Sequence, residues 1–569
     1  MINRFSFLVL ISTVAVCMTT SVFGDSAADA KNRNESPHQQ KVEKGTLEKK
    51  KGPKGPRWDR PALYPEEFRT IDGSGNNFHN PSWGSAPVEL LRLTTVGYSD
   101  WEKDPSGQNR PNVRDISNIV ASQKEKDISY HKRKKYSDFV WQWGQFLDHD
   151  LDLTPVVEGE PFDIAVPSGD KYFDPEGTGK QTIPLDRSAY TVVDRVRQQV
   201  NNITAFIDAS NVYGSDYERA MALRMLDGSG RLKFQETSKG DLPPLNVNGL
   251  PNAAPGDPED FFLCGDFRCN EQVALTAMHT LFVREHNRWA EYFSSDTSLT
   301  GDEIYERARA MVIGIMQHIT YDEFLPLLIG KQALSSYQGY QSDVNPGISN
   351  VFATSAYRFG HSMVSSKLRL VNKNGKLMGG LPLREAFFNP AWISTNGIED
   401  LLRGLASQVA QRYDVYMIDD LRNFLFGPPG NGGHDLASLN LQRGRDHGLP
   451  SYNQIRKDFG LSPIQTFEEI SSNSIVRKRL EAAYGSVDDM DGWVAFLAED
   501  PMPGAVVGQT VLTVLKDQFE RVRDGDRFWY ETYLPPDLVE KVKEQTLAKV
   551  IRRNTGIENG IQDNVFLIP

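Results

Sequence analysis

Cysteine is nearly missing from this chain: 569 residues contain three. One of them, Cys17, lies in an apolar leader, which leaves Cys264 and Cys269 for the rest. Two cysteines exclude a disulfide framework as the source of stability, so a large core or a bound cofactor has to hold the fold. Long apolar runs are scarce as well. After the leader, "AMVIGIMQHIT" stops at Gln317 and His318, which excludes a membrane span of about 18 or more apolar residues. Strand-like alternation is rare, and no repeat or low-complexity tract follows residue 61. Excess positive charge is confined to residues 25–60, where ten Lys/Arg face six Asp/Glu, within a chain of net charge −12. The acidic body disfavours a nucleic-acid partner.

What is present is material for a large core, with Trp 9, Tyr 20 and Phe 29. Residues 1–24 read as an export signal: Arg4, then the apolar "FSFLVLISTVAV", then "VFG" before Asp25. Residues 25–60 read as a disordered basic arm and 61–569 as a single large domain. Helical periodicity predicts helices over 134–149, 270–293, 302–320, 354–368, 398–411, 474–484 and 508–523. Gly/Pro-rich stretches such as 156–184 read as long irregular loops on a mainly α body.

The stretch "VWQWGQFLDHDLDLTP" at 140–155 concentrates the chemistry. Phe139, Val140, Trp143 and Leu147 recur at helical spacing, which groups Gln145, Asp148 and His149 and turns Asp150 about 100° from His149. An EF-hand loop is excluded. Counted from Asp148, Leu153 stands where glycine is needed and Gly159 where glutamate is needed; from Asp150 both places hold proline. Oxygen donors for a hard cation recur instead in "TAFIDASNVYGS", where Thr204, the Phe206 carbonyl, Asp208 and Ser210 alternate. In an extended segment they face one way, with Asp150 completing the set.

Taken together, "WGQFLDHDLDLTP", "ITAFIDASNVYGS", "GDFRCNEQVALTAMHTLFVREHNRWA", "AYRFGHSM" and "LNLQRGRDHGLPSYN" resemble, in order, the animal-type haem peroxidases of the peroxidase and cyclooxygenase superfamily. The resemblance implies a helical haem-peroxidase domain with haem b and calcium. It implies His149 as the distal histidine with Gln145 beside it, Arg268 as the distal arginine, and His361 as the axial iron ligand supported by Asn440. Asp148 and Glu271 match the acids that form ester links to haem, and Arg358 and Arg443 match positions near the propionates or the axial ligand. Asp150, Thr204, Phe206, Asp208 and Ser210 match the calcium ligands. Gln272 departs from the myeloperoxidase pattern, whose methionine forms a third, sulfonium link.

Hydrogen peroxide is then the oxidant, a ferryl species the intermediate, and halides, thiocyanate or small phenols the reductants. A neutral imidazole moves the peroxide proton, and a permanent guanidinium charge stabilises the leaving oxygen. Two alternatives stay open. A fatty-acid dioxygenase of the same superfamily needs a tyrosine three residues before the axial histidine, where Arg358 stands and Tyr357 is four before. An adhesive protein with a degenerate pocket is the other. The remaining histidines read as solvated (His38, His79, His131) or structural (His279, His286, His318, His434, His447). Cys264 and Cys269 read equally as a local bridge or as free thiols, and the oligomeric state stays open.

Overall fold

Helix α1 (Phe139–Leu151) buries Phe139, Val140, Trp143, Phe146, Leu147 and Leu151, the apolar stripe seen in the sequence. Ser137 Oγ accepts from the Phe139 amide at its start, and extended backbone at Asp152 ends it. The computed structural model describes residues 67–123 and 135–569; the expected export signal and basic arm lie outside them. Helix α2 (Val273–Ser294), 22 residues long, starts at Gln272, whose side-chain oxygen caps the Ala274 amide at 2.6 Å. Helix α3 (Gly301–His318) opens on a Thr300/Glu303 capping box and runs into a π-turn, Ile319–Phe324. Helices Glu399–Ser407, Ser474–Tyr484 and Gln509–Asp524 occupy the other expected ranges.

One expected helix is replaced. Residues 354–368 fold as a π-turn (Phe352–Ala356), a 3₁₀ helix (Tyr357–Met363) and then a strand (Lys367–Val371) paired with Leu377–Pro382. A 3₁₀ helix has three residues per turn, so Arg358 and His361 eclipse one another instead of standing apart. The 156–184 stretch is likewise not all loop. Val156–Pro161 pairs with Asp186–Ser188, and Ile164–Ala165 with Thr182–Ile183.

Helix accounts for 41% of the structure and strand for 12%, so the architecture is mainly α. A single apolar cluster extends from Leu90 to Phe566 and includes residues of all these helices. It places the polar end of α1 against the loop before α2 and against the 3₁₀ helix. A further helix, α4 (Leu436–Asp446), supports that 3₁₀ helix from behind with Asn440, which is fully buried.

Asp138, just before α1, has a measurable consequence. It is wholly buried, Ser365 Oγ donates to Oδ1 at 2.9 Å, and burial pushes its carboxyl up to about 7. The folded chain therefore keeps a proton that the unfolded chain releases near pH ~3.9, and this group's stabilisation is lost as pH rises from ~4 through 7. Thermal unfolding of Asp138→Asn is expected to show a shallower fall in Tm between pH 5 and 8 than the parent. Parallel curves would contradict this.

Candidate active site

The residues around one interior space show an unusual accessibility pattern. Gln145 and Asp148 of α1, Arg268, Glu271, Arg358, Gly360 and His361 all retain partial exposure, while Phe146, Leu147, Phe359 and Asn440 beside them are buried. A Cβ added to Gly360 would meet nothing within 4 Å. Polar groups from α1, the loop before α2 and the 3₁₀ helix thus border open volume inside the core.

On the α1 side, His149 is 4% exposed, and its Nδ1, 3.7 Å from Asp266 Oδ1, has no hydrogen-bond partner. Burial, reinforced by the Arg268 charge, holds its pKa well below the ordinary histidine value, so the ring is neutral at neutral pH. Asp266 is committed elsewhere. Arg268 donates to it from Nε at 2.9 Å and Nη2 at 2.8 Å, and the Arg268 amide adds a third bond at 2.8 Å. Burial pushes Asp266 upward, but Arg268 outweighs it and the net shift is downward. Arg268 Nη2 also reaches the Asp152 carbonyl at 3.1 Å.

These two residues sit in a short loop closed by a Cys264–Cys269 disulfide, which resolves the alternative left by the sequence. The loop, not a helix, brings Arg268 and Glu271 together, through the Glu271 amide to the Arg268 carbonyl at 2.8 Å. Glu271 Oε1 accepts from Gln145 Nε2 at 2.9 Å, and Gln145 Oε1 accepts from Gln272 Nε2 at 3.0 Å. Gln272 therefore caps α2 and orients Gln145 at once. Burial, partly offset by Arg268, raises Glu271 to about 7. Burial also raises Asp148, against Arg268 and Arg358; Asp152, one turn on, is raised by burial and by Asp148 itself.

Opposite, the Asn440 amide lies 2.8 Å from His361 Nδ1. The resemblance has Asn440 supporting His361, and the two do meet; the amide oxygen takes Arg358 Nη1 at 3.3 Å and the nitrogen faces His361. A guanidinium can only donate, so it draws the acceptor end. Metal ligation through His361 Nε2 requires Nδ1–H and hence a half-turn of the amide, whose two ends are nearly equal in size. Burial, then Arg358, lowers His361 to about 3. Arg443 Nη1 is held by Ser188 Oγ at 2.8 Å, Asp446 at 3.0 Å and the Asp186 carbonyl at 3.0 Å.

The fourth cluster adjoins α1 on its other face. Asp150 Oδ1 accepts from Ser210 Oγ at 2.9 Å and Oδ2 from the Ala209 amide at 3.1 Å. Asp208 Oδ1 accepts from Thr204 Oγ1 at 2.9 Å, and its Oδ2 has no partner. The segment is not extended as expected. It bends, with Ala209 at φ 59°, into the turn Ser210–Tyr213, and the bend rather than alternation brings Asp208 to Asp150. The Phe206 ring lies under the Arg69 guanidinium at 4.9 Å. Burial raises Asp150, with Asp208 next in effect. Among the described residues no three His, Cys, Asp or Glu side chains form a metal cluster. Two buried carboxylates with an orphan oxygen and two hydroxyls nevertheless suit a hard cation.

The two clusters touch. A Cβ at Gly265 would overlap the backbone of Ser210 and Val212, and the Asp266 amide donates to the Asn211 carbonyl at 2.9 Å. Sequence reasoning missed Asp152 and Asp266, although both stood inside the quoted motifs. His279 is buried beside the Phe146 ring at 5.1 Å and is lowered to about 4 by burial. His286 and His447 are structural: Tyr213 and the Gly230 carbonyl hold the first, Asn350 and Ser188 the second. His79 is exposed, and His38 and His131 lie outside the described residues.

The helical scaffold is that of a peroxidase. The family model "Animal haem peroxidase" matches residues 68–566, and the chain belongs to that family. It is 41% identical to peroxinectin A of Dictyostelium discoideum over 88% of this chain and 96% of that protein. It is 36% identical to lactoperoxidase of Mesocricetus auratus over 88% and 77%. The solved structure of peroxidase A from Dictyostelium discoideum superposes with TM-score 0.83 at 39% identity, covering 88% of this chain and all of that one. Fatty acid alpha-dioxygenase of Arabidopsis thaliana, at TM-score 0.74 and 20% identity over 88% and 83%, shares the fold. The chain is a peroxidase, an oxidoreductase.

Closing so short a loop is expected to stabilise the fold by about 2 kcal/mol in the chain-entropy view. Denaturant unfolding of Cys264→Ala/Cys269→Ala should show that loss. Unchanged stability would mean that the Asp266–Arg268 pair already holds the loop.

Proposed function

We propose that the protein is an exported haem peroxidase that uses hydrogen peroxide to oxidise halides, thiocyanate or small phenols. The observation that carries this is His149: a buried, neutral imidazole beside the Arg268 charge, on a helix that packs against the turn bearing His361. The residues fit haem. His361 would ligate iron, Asn440 would accept from its Nδ1, and Arg358 and Arg443 would stand near the propionates or behind the axial ligand. When bound, haem supplies an iron centre able to take two oxidising equivalents from peroxide.

His149 takes the proton from one peroxide oxygen and delivers it to the other. Its low pKa keeps the ring neutral at neutral pH, and a neutral imidazole has one nitrogen able to accept a proton. Among the described residues Arg268 forms no hydrogen bond through Nη1, which is left to stabilise charge growing on the departing oxygen. Asp266 fixes the guanidinium, and the Gln272–Gln145–Glu271 chain fixes the amide that meets water or a halide.

Asp148 and Glu271 would hold the haem, when it is bound, through ester links. Each is a carboxyl that burial pushes toward its neutral form, and esterification removes the buried charge altogether. Gln145 occupies Glu271 Oε1, which leaves Oε2 for the link. Gln272 has no sulfur, so a third link does not form. Asp150, Asp208, Thr204, Ser210 and the Phe206 carbonyl would hold calcium, whose charge would relieve the repulsion between two buried carboxylates. Arg358 in place of tyrosine, with its guanidinium engaged by Asn440 and Ala353, disfavours the dioxygenase reading. Export rests on the N-terminal leader; among the described residues no helix is long and apolar enough to cross a membrane.

His149→Ala, loaded with haem, is expected to lose about 10²–10⁴-fold in peroxide-dependent iodide oxidation with its haem spectrum retained. Full activity would remove His149 from the mechanism. After peroxide treatment, haem should resist acid-solvent extraction in the parent, resist it less in Asp148→Asn or Glu271→Gln, and extract freely from the double variant. Mass analysis finding a sulfur-linked haem would overturn the assignment of Gln272.

A further inference from the structure

Tyr357 opens the 3₁₀ helix that carries His361, and its hydroxyl is buried without a hydrogen-bond partner. Tyr357 stands four residues before His361 on this short helix, which packs against α1, the helix of Asp148 and His149. A buried phenol without a partner costs free energy, and packing alone does not account for it.

From this ring a run of aromatic contacts leads away from the site. Tyr357 stacks on Phe352 at 4.7 Å and meets Phe519 at 5.8 Å. Phe519 meets Tyr321 at 6.1 Å, Tyr321 meets Trp529 at 4.8 Å, and Trp529 meets Tyr337 at 5.8 Å. Tyr337 is half-buried, next to exposed Ser335, Ser336 and Gln338. Every ring in the run except the phenylalanines belongs to the side chains most easily oxidised, and the three beyond Tyr357 each hold a hydrogen bond that can steady the proton. Tyr321 donates to the Phe519 carbonyl at 2.5 Å, Trp529 Nε1 to Glu531 at 3.3 Å, and the Tyr337 hydroxyl lies 3.2 Å from Thr532 Oγ1. Arg523 lies over both Tyr321 and Tyr337, at 6.0 and 5.7 Å, with its charge offset by Asp524 at 2.7 Å.

We propose that Tyr337, Trp529, Tyr321 and Tyr357 carry electrons inward from phenolic donors too large to enter the site. The inference rests on the peroxidase reading, which supplies the oxidant. Two donor phenols at the surface beside Tyr337 each lose one electron and one proton and become phenoxyl radicals. One peroxide gains both electrons and both protons, its O–O bond breaks, and two waters form. The phenoxyl radicals then couple to one another. Each relay ring is oxidised and reduced in turn and ends unchanged.

The test uses haem-loaded protein, iodide as a small donor, and tyramine coupled to dextran as a donor excluded from the interior. The parent should oxidise iodide and also cross-link the dextran, read as dityrosine fluorescence. Trp529→Phe should keep iodide turnover and lose dextran cross-linking by roughly tenfold or more. Tyr337→Phe, at the half-exposed end, should do the same without altering the core. With a nitroxide-forming spin trap, peptide mass mapping should find the adduct on Tyr337 in the parent and not in Trp529→Phe. A parent active on iodide but inert toward dextran-tyramine overturns the proposal, as do variants that retain cross-linking or the Tyr337 adduct. A haem-loaded parent inert toward both donors overturns the peroxidase reading and this inference with it.

Discussion

A buried carboxylate and the guanidinium that covers it, Asp266 and Arg268, are the constraint around which the site is arranged. An isolated charge in such surroundings would be too costly to keep, and a pair is tolerable only with good geometry. Here the geometry is enforced by a disulfide loop, by two side-chain bonds from Arg268 and by a backbone bond onto Asn211. Because Asp266 is satisfied by Arg268, it does not draw a proton onto His149. The imidazole stays neutral although an acid lies 3.7 Å away.

The end of α1 gives that pair two neighbours. Successive residues turn about 100° around a helix, so Asp148 and His149 border the interior space while Asp150 points to Ala209 and Ser210. Gly265 then packs on the same Ser210 turn with no room for a side chain. Any change at the Asp150–Asp208 cluster is felt by the Arg268 loop through direct backbone contact. The coupling is mechanical and short, with no need for a long path through the core.

Much of this was legible beforehand because it is local. Apolar residues at three and four set the α1 stripe whatever they pack against, and the quoted motifs carried His149, Asp150, Arg268, His361 and Asn440 in family order. The failures share a cause. The 354–368 stretch has an acceptable helical pattern, yet Lys367–Val371 gains more by pairing with Leu377–Pro382, and tertiary pairing overrides a weak local preference. Extended alternation was a fair reading of 204–210, but the bend at Ala209 depends on Asp150 waiting across the interface.

The chain's order of residues determined its family, its mainly helical class and the identity of the groups brought to the site, since periodicity and motif content need no knowledge of partners. Tertiary structure alone decided that Cys264 meets Cys269, that Asp266 occupies Arg268, that Gln272 caps a helix while steering Gln145, and that Asn440 reaches both Arg358 and His361. Each is a contest for hydrogen bonds among groups that share one buried space, and its outcome depends on every neighbour present.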